Sequence, residues 1–158
     1  MQIVSKEFKH GEVIPEKFTC NGENINPELR LIDIPSSTKS LVLIMDDPDV
    51  PAIVREDRMF DHWAVFNILP KTTIIKEGFI PQGEAVGIST GGVIGYQGPC
   101  PPDTLHRYFF KLYALSKLLK LKDGATKLEI KKAMENSIIK KAELIGLYEQ
   151  ANELKTVK

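Results

Sequence analysis

Residues 40–51 read SLVLIMDDPDVP, an apolar run of strand length that ends in three carboxylates and two prolines. Four to eight apolar residues bounded by turn formers fit a buried strand; a helix would be longer and would not tolerate the prolines. HWAVFNIL at 62–69 and HRYFFKLYAL at 106–115 have the same character, being rich in aromatic and β-branched side chains that suit a pleated surface. These three segments are expected as central strands. Between them, EKFTCNGENINPELR (16–30) and GISTGGVIGYQGPCPPDTL (87–105) carry too much Gly, Pro and Asn for regular helix, and long loops in a small domain often carry function. The period changes only in the last quarter. Thr126 and Glu129 have capping-box spacing, and Leu128, Ile130, Ala133 and Met134 recur as on a helix face, which predicts a helix over 127–136. AELIGLYEQ (142–150) reads as a last strand, and the terminal NELKTVK is expected to fray. The pattern as a whole predicts a mostly β chain, a two-sheet antiparallel β-sandwich with one or two short helices near the C-terminus.

With 158 residues, 42% of them hydrophobic and 27% charged, residues 1–158 suit a single domain with one core. Lys and Arg total 21 and Asp and Glu total 21, so no net basic field favours nucleic acid or an anionic membrane. The first fifteen residues lack the apolar core of a signal peptide, and no segment approaches the roughly 20 apolar residues needed to cross a bilayer. The expectation is a soluble, cytoplasmic protein without a transmembrane segment. Cys20 and Cys100 have no metal-type spacing, and a cytosolic setting keeps thiols reduced, so neither a zinc site nor a disulfide is expected. A β-rich domain of this size is a candidate homodimer.

Candidate chemistry collects at three strand ends. Asp47 closes the first central strand and His62 opens the second, so in an antiparallel pair they share one rim. His106 opens the third, and a period of two puts Tyr108 and Phe110 on its face, with Arg107 and Phe109 on the other. Pro48 and Pro51 stiffen the rim, and one of these X-Pro bonds is a candidate for cis. Gly92, Gly95 and Gly98 would let backbone N–H groups approach a ligand closely. Asp46 and Asp49 read as turn formers or solvated charges, and His10 as structural. A rim histidine should add little core area. Three uses of the cluster stay open on these residues alone: recognition of an anion, a two-histidine, one-carboxylate metal site, and acid–base hydrolysis. Cys100 shows no group that would activate it as a nucleophile.

FTCNGENINPEL, LVLIMDDPDVP, DHWAVFNI, GYQGPCPP and HRYFFKLYAL, in this order over nearly the whole chain, resemble the phosphatidylethanolamine-binding protein family in its shorter bacterial and archaeal branch. The resemblance implies a β-sandwich with a small anion pocket formed by Asp47, Pro51, His62, Gly98, Pro99, His106 and Tyr108, and a cis non-proline bond near Arg58 and Met59. It implies a non-enzymatic binding protein, open to a regulatory role and without cofactor or metal, whose partner is a small anionic or zwitterionic ligand such as phosphate or phosphorylethanolamine. His62 and His106 would donate to phosphate oxygens while Asp47 orients an imidazole or receives an ammonium. The alternatives are a serine protease inhibitor acting through exposed loops, with a protease as protein partner, and a hydrolase using the Asp/His cluster. Two features depart from the family pattern: Arg30 stands where prokaryotic relatives commonly have an aromatic residue, and the longer C-terminal helix of animal members is missing. Kinase inhibition by those members is therefore not carried over.

Overall fold

Ser40–Asp47 is the middle strand of a five-stranded sheet, and all of its residues are buried. The structure is a computed structural model that describes residues 1–79 and 85–151; the expectation for NELKTVK falls outside the described residues. The elements run β1 (Gln2–Val4), β2 (Leu29–Ile32), β3 (Ser40–Asp47), β4 (Phe60–Ile68), β5 (Ile74–Ile75), β6 (Ala85–Val86), β7 (His106–Leu115), α1 (Lys127–Met134) and β8 (Ile138–Tyr148). Strands β1, β2 and β5 form a small antiparallel sheet, and β6-β4-β3-β7-β8 a large one.

Both faces of β3 are covered, which is why its sequence shows no polar alternation. Leu41, Leu43 and Met45 enter the core shared with Leu29, Leu31 and Ile75 of the small sheet. Val42 and Ile44 point the other way, into a second cluster with Phe66 and with Ile130 and Met134 of α1. Fully burying one such side chain contributes roughly 1.5–3 kcal/mol, more than the ~1 kcal/mol span of strand propensity, so burial decides the assignment. The β3–β4 ladder has two register shifts, one between Leu41 and Leu43 and one between Met45 and Asp46. At the second, Met45 pairs with Trp63 and Asp46 with Asp61, leaving His62 as the extra residue of a bulge.

The capping box forms, with Thr126 accepting from Glu129 N–H at 3.1 Å and Glu129 accepting from Thr126 N–H at 2.9 Å. The helix stops at Met134, two residues short of the expected end, because Glu135 and Asn136 leave helical geometry and Asn136 takes φ 62°. The last strand starts at Ile138, four residues early, where Ile138 to Lys141 extend the ladder along β7 although they lack a buried face.

Two expectations about the rim are corrected. All described peptide bonds are trans, including those at Pro48, Pro51, Arg58 and Met59; the chain reverses at Arg58 through a left-handed backbone, φ 55°. Cys20 and Cys100 are joined in a disulfide, with Cα atoms 5.5 Å apart across 80 residues. Cys20 N–H also donates to the Pro99 carbonyl at 3.0 Å, so the approach is set by pairing between two distant loops that no cysteine spacing encodes. Closing a loop of this length constrains the unfolded chain by about 4–5 kcal/mol in the chain-entropy treatment. Protein prepared without reductant should accordingly show no free thiol, and the double variant Cys20→Ser, Cys100→Ser should unfold at lower denaturant. Two titratable thiols and an unchanged denaturation midpoint would remove the cross-link from the fold.

Candidate functional site

The alternation of β3 continues through its acidic end. Asp46 follows Ile44 onto the helix side, while Asp47 follows Met45 inward. On β7 the same alternation turns His106, Tyr108 and Phe110 inward and Arg107 outward, and β7 pairs with β3 through Asp46 and Phe109. Asp47 and His106 therefore meet, with Asp47 Oδ2 2.6 Å from His106 Nδ1. Asp47 Oδ1 accepts the N–H of Asp49 at 2.7 Å, which fixes the carboxylate. The bulge on β4 turns His62 toward the same space, where Phe60, rather than His62, faces Asp47 across the ladder.

These side chains surround a cavity of about 280 Å³, closed on its loop side by Gln97, Gly98, Cys100, Pro101 and Pro102 and flanked by Val50 and Val54. His62 packs its edge against Tyr108 with ring centroids 5.2 Å apart, and His106 stacks on Tyr108 at 6.5 Å. Of the seven residues expected at the site, Asp47, His62, Gly98, His106 and Tyr108 line this cavity, and Pro51 and Pro99 do not. The Pro51 carbonyl accepts from Val54 and Arg55, making the turn that delivers Val54, and the Pro99 carbonyl is the partner of Cys20. Gly98 donates its N–H to Asn24 Oδ1 at 2.8 Å rather than offering it to a ligand. A Cβ at Gly98 would lie 2.5 Å from the Phe18 carbonyl oxygen, so glycine is required there by the loop packed behind it. Gly92 and Gly95 lie away from the cavity, with φ of 83° and 133° in the preceding turn.

The remaining acids near the rim are not simply solvated. Asp46 is 2% exposed and receives Lys111 and Lys127, each at 3.1 Å. Asp49 accepts a forked pair from Arg107 at 2.8 and 2.9 Å, which holds its carboxyl below the usual range. His10 is structural, its Nδ1 accepting from Ile145 N–H at 3.1 Å. Sequence reasoning missed Asp103, whose Oδ1 lies 2.6 Å from His106 Nε2. The signal was available as an acid three residues before a strand-initial histidine.

His106 thus has a carboxylate on each nitrogen. Burial opposes its protonation, but the hydrogen bonds to Asp47 and Asp103 outweigh it and raise the pKa above the ordinary 6.5. A carboxylate facing each ring nitrogen favours the doubly protonated ring, an imidazolium that donates from both sides. His62 is the opposite case. Burial lowers its pKa despite the Gln97 carbonyl and the charge of Asp47. Its Nδ1 lies 2.7 Å from that carbonyl and must donate, which leaves Nε2 of the neutral ring as an acceptor. The expected donor role would require protonating this buried ring. Tyr108 is 0% exposed and its hydroxyl has no hydrogen-bond partner among the described residues. Burial and then the charge of Asp47 push its pKa up, so it remains a neutral donor. Among the described residues no group of three His, Cys, Asp or Glu side chains is placed to hold a metal ion.

A family model described as phosphatidylethanolamine-binding protein matches residues 4–149. A UPF0098 protein of Chlamydia muridarum is 50% identical over 95% of this chain and 99% of its own length. The crystal structure of a Chlamydia trachomatis protein, CT736, described as a putative phosphatidylethanolamine-binding protein homolog, superposes with a TM-score of 0.91 at 45% identity, covering 95% of this chain and 97% of that one. The crystal structure of E. coli YbcL, described as a new member of the mammalian family, superposes with a TM-score of 0.86 at 28% identity over 95% and 98%.

The two imidazoles should separate on titration. His106 binds its proton more tightly folded than unfolded, so its contribution to stability is full below about pH 6.5 and is lost as pH rises through its raised folded value. His62 has the reverse sign, contributing fully above about pH 6.5 and losing that contribution as pH falls through its lowered value. Proton–nitrogen NMR should find His106 titrating above His62, with Asp47→Asn lowering the His106 midpoint; the reverse order would contradict the hydrogen-bond assignment. His106 is only 1% exposed, which corrects the expectation that this rim position is structurally minor. Because His106→Ala leaves Asp47 buried without its counter-ion, it should cost about 3–5 kcal/mol in denaturant unfolding, whereas a loss below about 1 kcal/mol would show the pair to be solvated.

Proposed function

Since the chain belongs to the phosphatidylethanolamine-binding protein family, we propose that it acts by binding rather than catalysis, taking a small phosphoryl group such as that of phosphorylethanolamine into this cavity. The observation that carries the reading is the buried Tyr108 hydroxyl, a donor without an acceptor among the described residues, on a side chain that lines the cavity together with His106. An unsatisfied buried hydroxyl costs about 1–3 kcal/mol, which an acceptor on a ligand would offset. The volume of about 280 Å³ lies at the small end of ligand pockets. That suits a headgroup rather than a whole lipid. Val50, Val54 and Phe60 form an apolar wall that would strengthen a polar contact by excluding water.

Saturation of the acidic and basic groups supports binding over hydrolysis. A general base needs a free lone pair near the proton it removes. His106 has none while both carboxylates hold it, and Asp47 is already paired with that ring and with the Asp49 N–H. His62 keeps one lone pair, but no nucleophile with an orienting partner stands beside it among the described residues. A phosphoryl oxygen would accept from Tyr108 and compete with Asp103 for His106 Nε2.

Titration calorimetry with phosphorylethanolamine should show one site per chain. Tyr108→Phe removes only the hydroxyl, and should weaken binding by about 0.5–1.5 kcal/mol, or up to about tenfold, without loss of fold. Equal affinity of Tyr108→Phe and the unaltered protein would place the ligand elsewhere.

A further inference from the structure

The two carboxylates on His106 are not equivalent. Asp47 has 4% of its side chain exposed and both oxygens engaged. Asp103 approaches Nε2 at the same 2.6 Å, but 43% of its side chain is exposed, and it stands in a stretch, 102–105, whose residues are all exposed. Separating a buried ion pair leaves an uncompensated charge, whereas an exposed carboxylate regains water when its partner is lost. Asp47 is therefore the permanent counter-ion of His106 and Asp103 the displaceable one.

The charge count gives this asymmetry a consequence. Among the described residues the cavity lining contains no Lys or Arg, and the guanidinium of Arg107, next in sequence to His106, faces outward and is held by Asp49. His62 is committed through Nδ1 to the Gln97 carbonyl. One imidazolium thus stands against two carboxylates. An entering anion gains Nε2 only by displacing Asp103, and the displaced carboxylate stays tethered three residues from His106. A ligand carrying only negative charge meets that carboxylate as a repulsive neighbour. A ligand that also carries an ammonium pairs with it, so the exchange conserves the number of ion pairs.

Resting on the reading that the cavity takes a phosphoryl group, we infer that Asp103 is a specificity-determining residue: an exchangeable counter-ion that favours phosphoryl compounds bearing a nearby ammonium over those bearing negative charge alone. This chemistry occurs both in lipid headgroups, as a diester, and in soluble monoesters.

Two ligand pairs test it by calorimetry at about pH 6, where an imidazole of raised pKa stays protonated. Glycerophosphorylethanolamine against glycerophosphorylglycerol represents the headgroup source, and phosphorylethanolamine against ethyl phosphate the soluble one. The unaltered protein should prefer the ammonium member of at least one pair, and that pair identifies the source. Asp103→Asn should tighten the purely anionic member about tenfold, the usual scale for removing a like charge at contact distance. It should leave the zwitterion unchanged or weaker, so the preference disappears, while Asp103→Glu keeps it. If Asp103→Asn shifts both members by one factor, or leaves the preference intact, Asp103 does not set specificity although phosphoryl binding stands. If none of the four probes binds the unaltered protein or Asp103→Asn, the phosphoryl reading falls as well.

Discussion

A strand covered on both faces that ends in two consecutive carboxylates creates the constraint on which the rest of this structure depends. Asp46 and Asp47 are 2% and 3% exposed, and a carboxylate that deep needs a cation or several donors. Strand alternation sends them to opposite sides, so each is paired with cationic side chains from a different part of the chain. Asp46 draws in Lys111 from β7 and Lys127 from the first turn of α1, and Lys127 also reaches Asp61 at 2.5 Å. That network pins the helix over the outer face of the large sheet. Asp47 draws in His106 and, by holding it, sets the inner wall of the cavity. Helix docking and site geometry are two outcomes of one pairing requirement.

The parts of the fold legible in the sequence were those decided by local pattern. The apolar run at 40–46, the aromatic strand at 106–115 and the Thr126–Glu129 capping box each state their structure within a few residues, because burial and capping act over that range. Asp47, His62, His106 and Tyr108 could be grouped from strand ends and a period of two. The remainder depended on events that the local pattern does not encode. The bulge that reorients His62 inserts a residue without any glycine to mark it. The disulfide depends on two loops 80 residues apart meeting through Cys20 N–H and the Pro99 carbonyl. Asp46 looked like a turn residue because its partners lie 65 and 81 residues away. Pro51 and Pro99 act through their carbonyls behind the cavity, a role their residue type does not announce.

The rim combines closely held and exposed parts. The Cys20–Cys100 bond, the Gly98 contact with Asn24 and the Gln150 bond to the Pro101 carbonyl at 2.7 Å hold one side of the cavity to the body. Immediately after Pro101 the chain becomes exposed until His106, which is buried again. Asp103 lies in that exposed stretch. Under the proposed exchange, a wall held in this way with one exposed charged group would keep its shape while changing which ions it accepts, because the lining would not have to rearrange. Tyr108, packed against both imidazoles, would supply a donor whose position does not depend on that exchange.

The central claim is that a ligand's phosphoryl group occupies the space bounded by Tyr108, His106 and His62. A crystal structure of the protein grown with phosphorylethanolamine tests it most directly. The account requires a phosphoryl oxygen within hydrogen-bond distance of the Tyr108 hydroxyl, with His106 Nε2 turned from Asp103 to the ligand. A phosphoryl group bound on another surface, with Tyr108 still unpartnered and Asp103 still on His106, would contradict it.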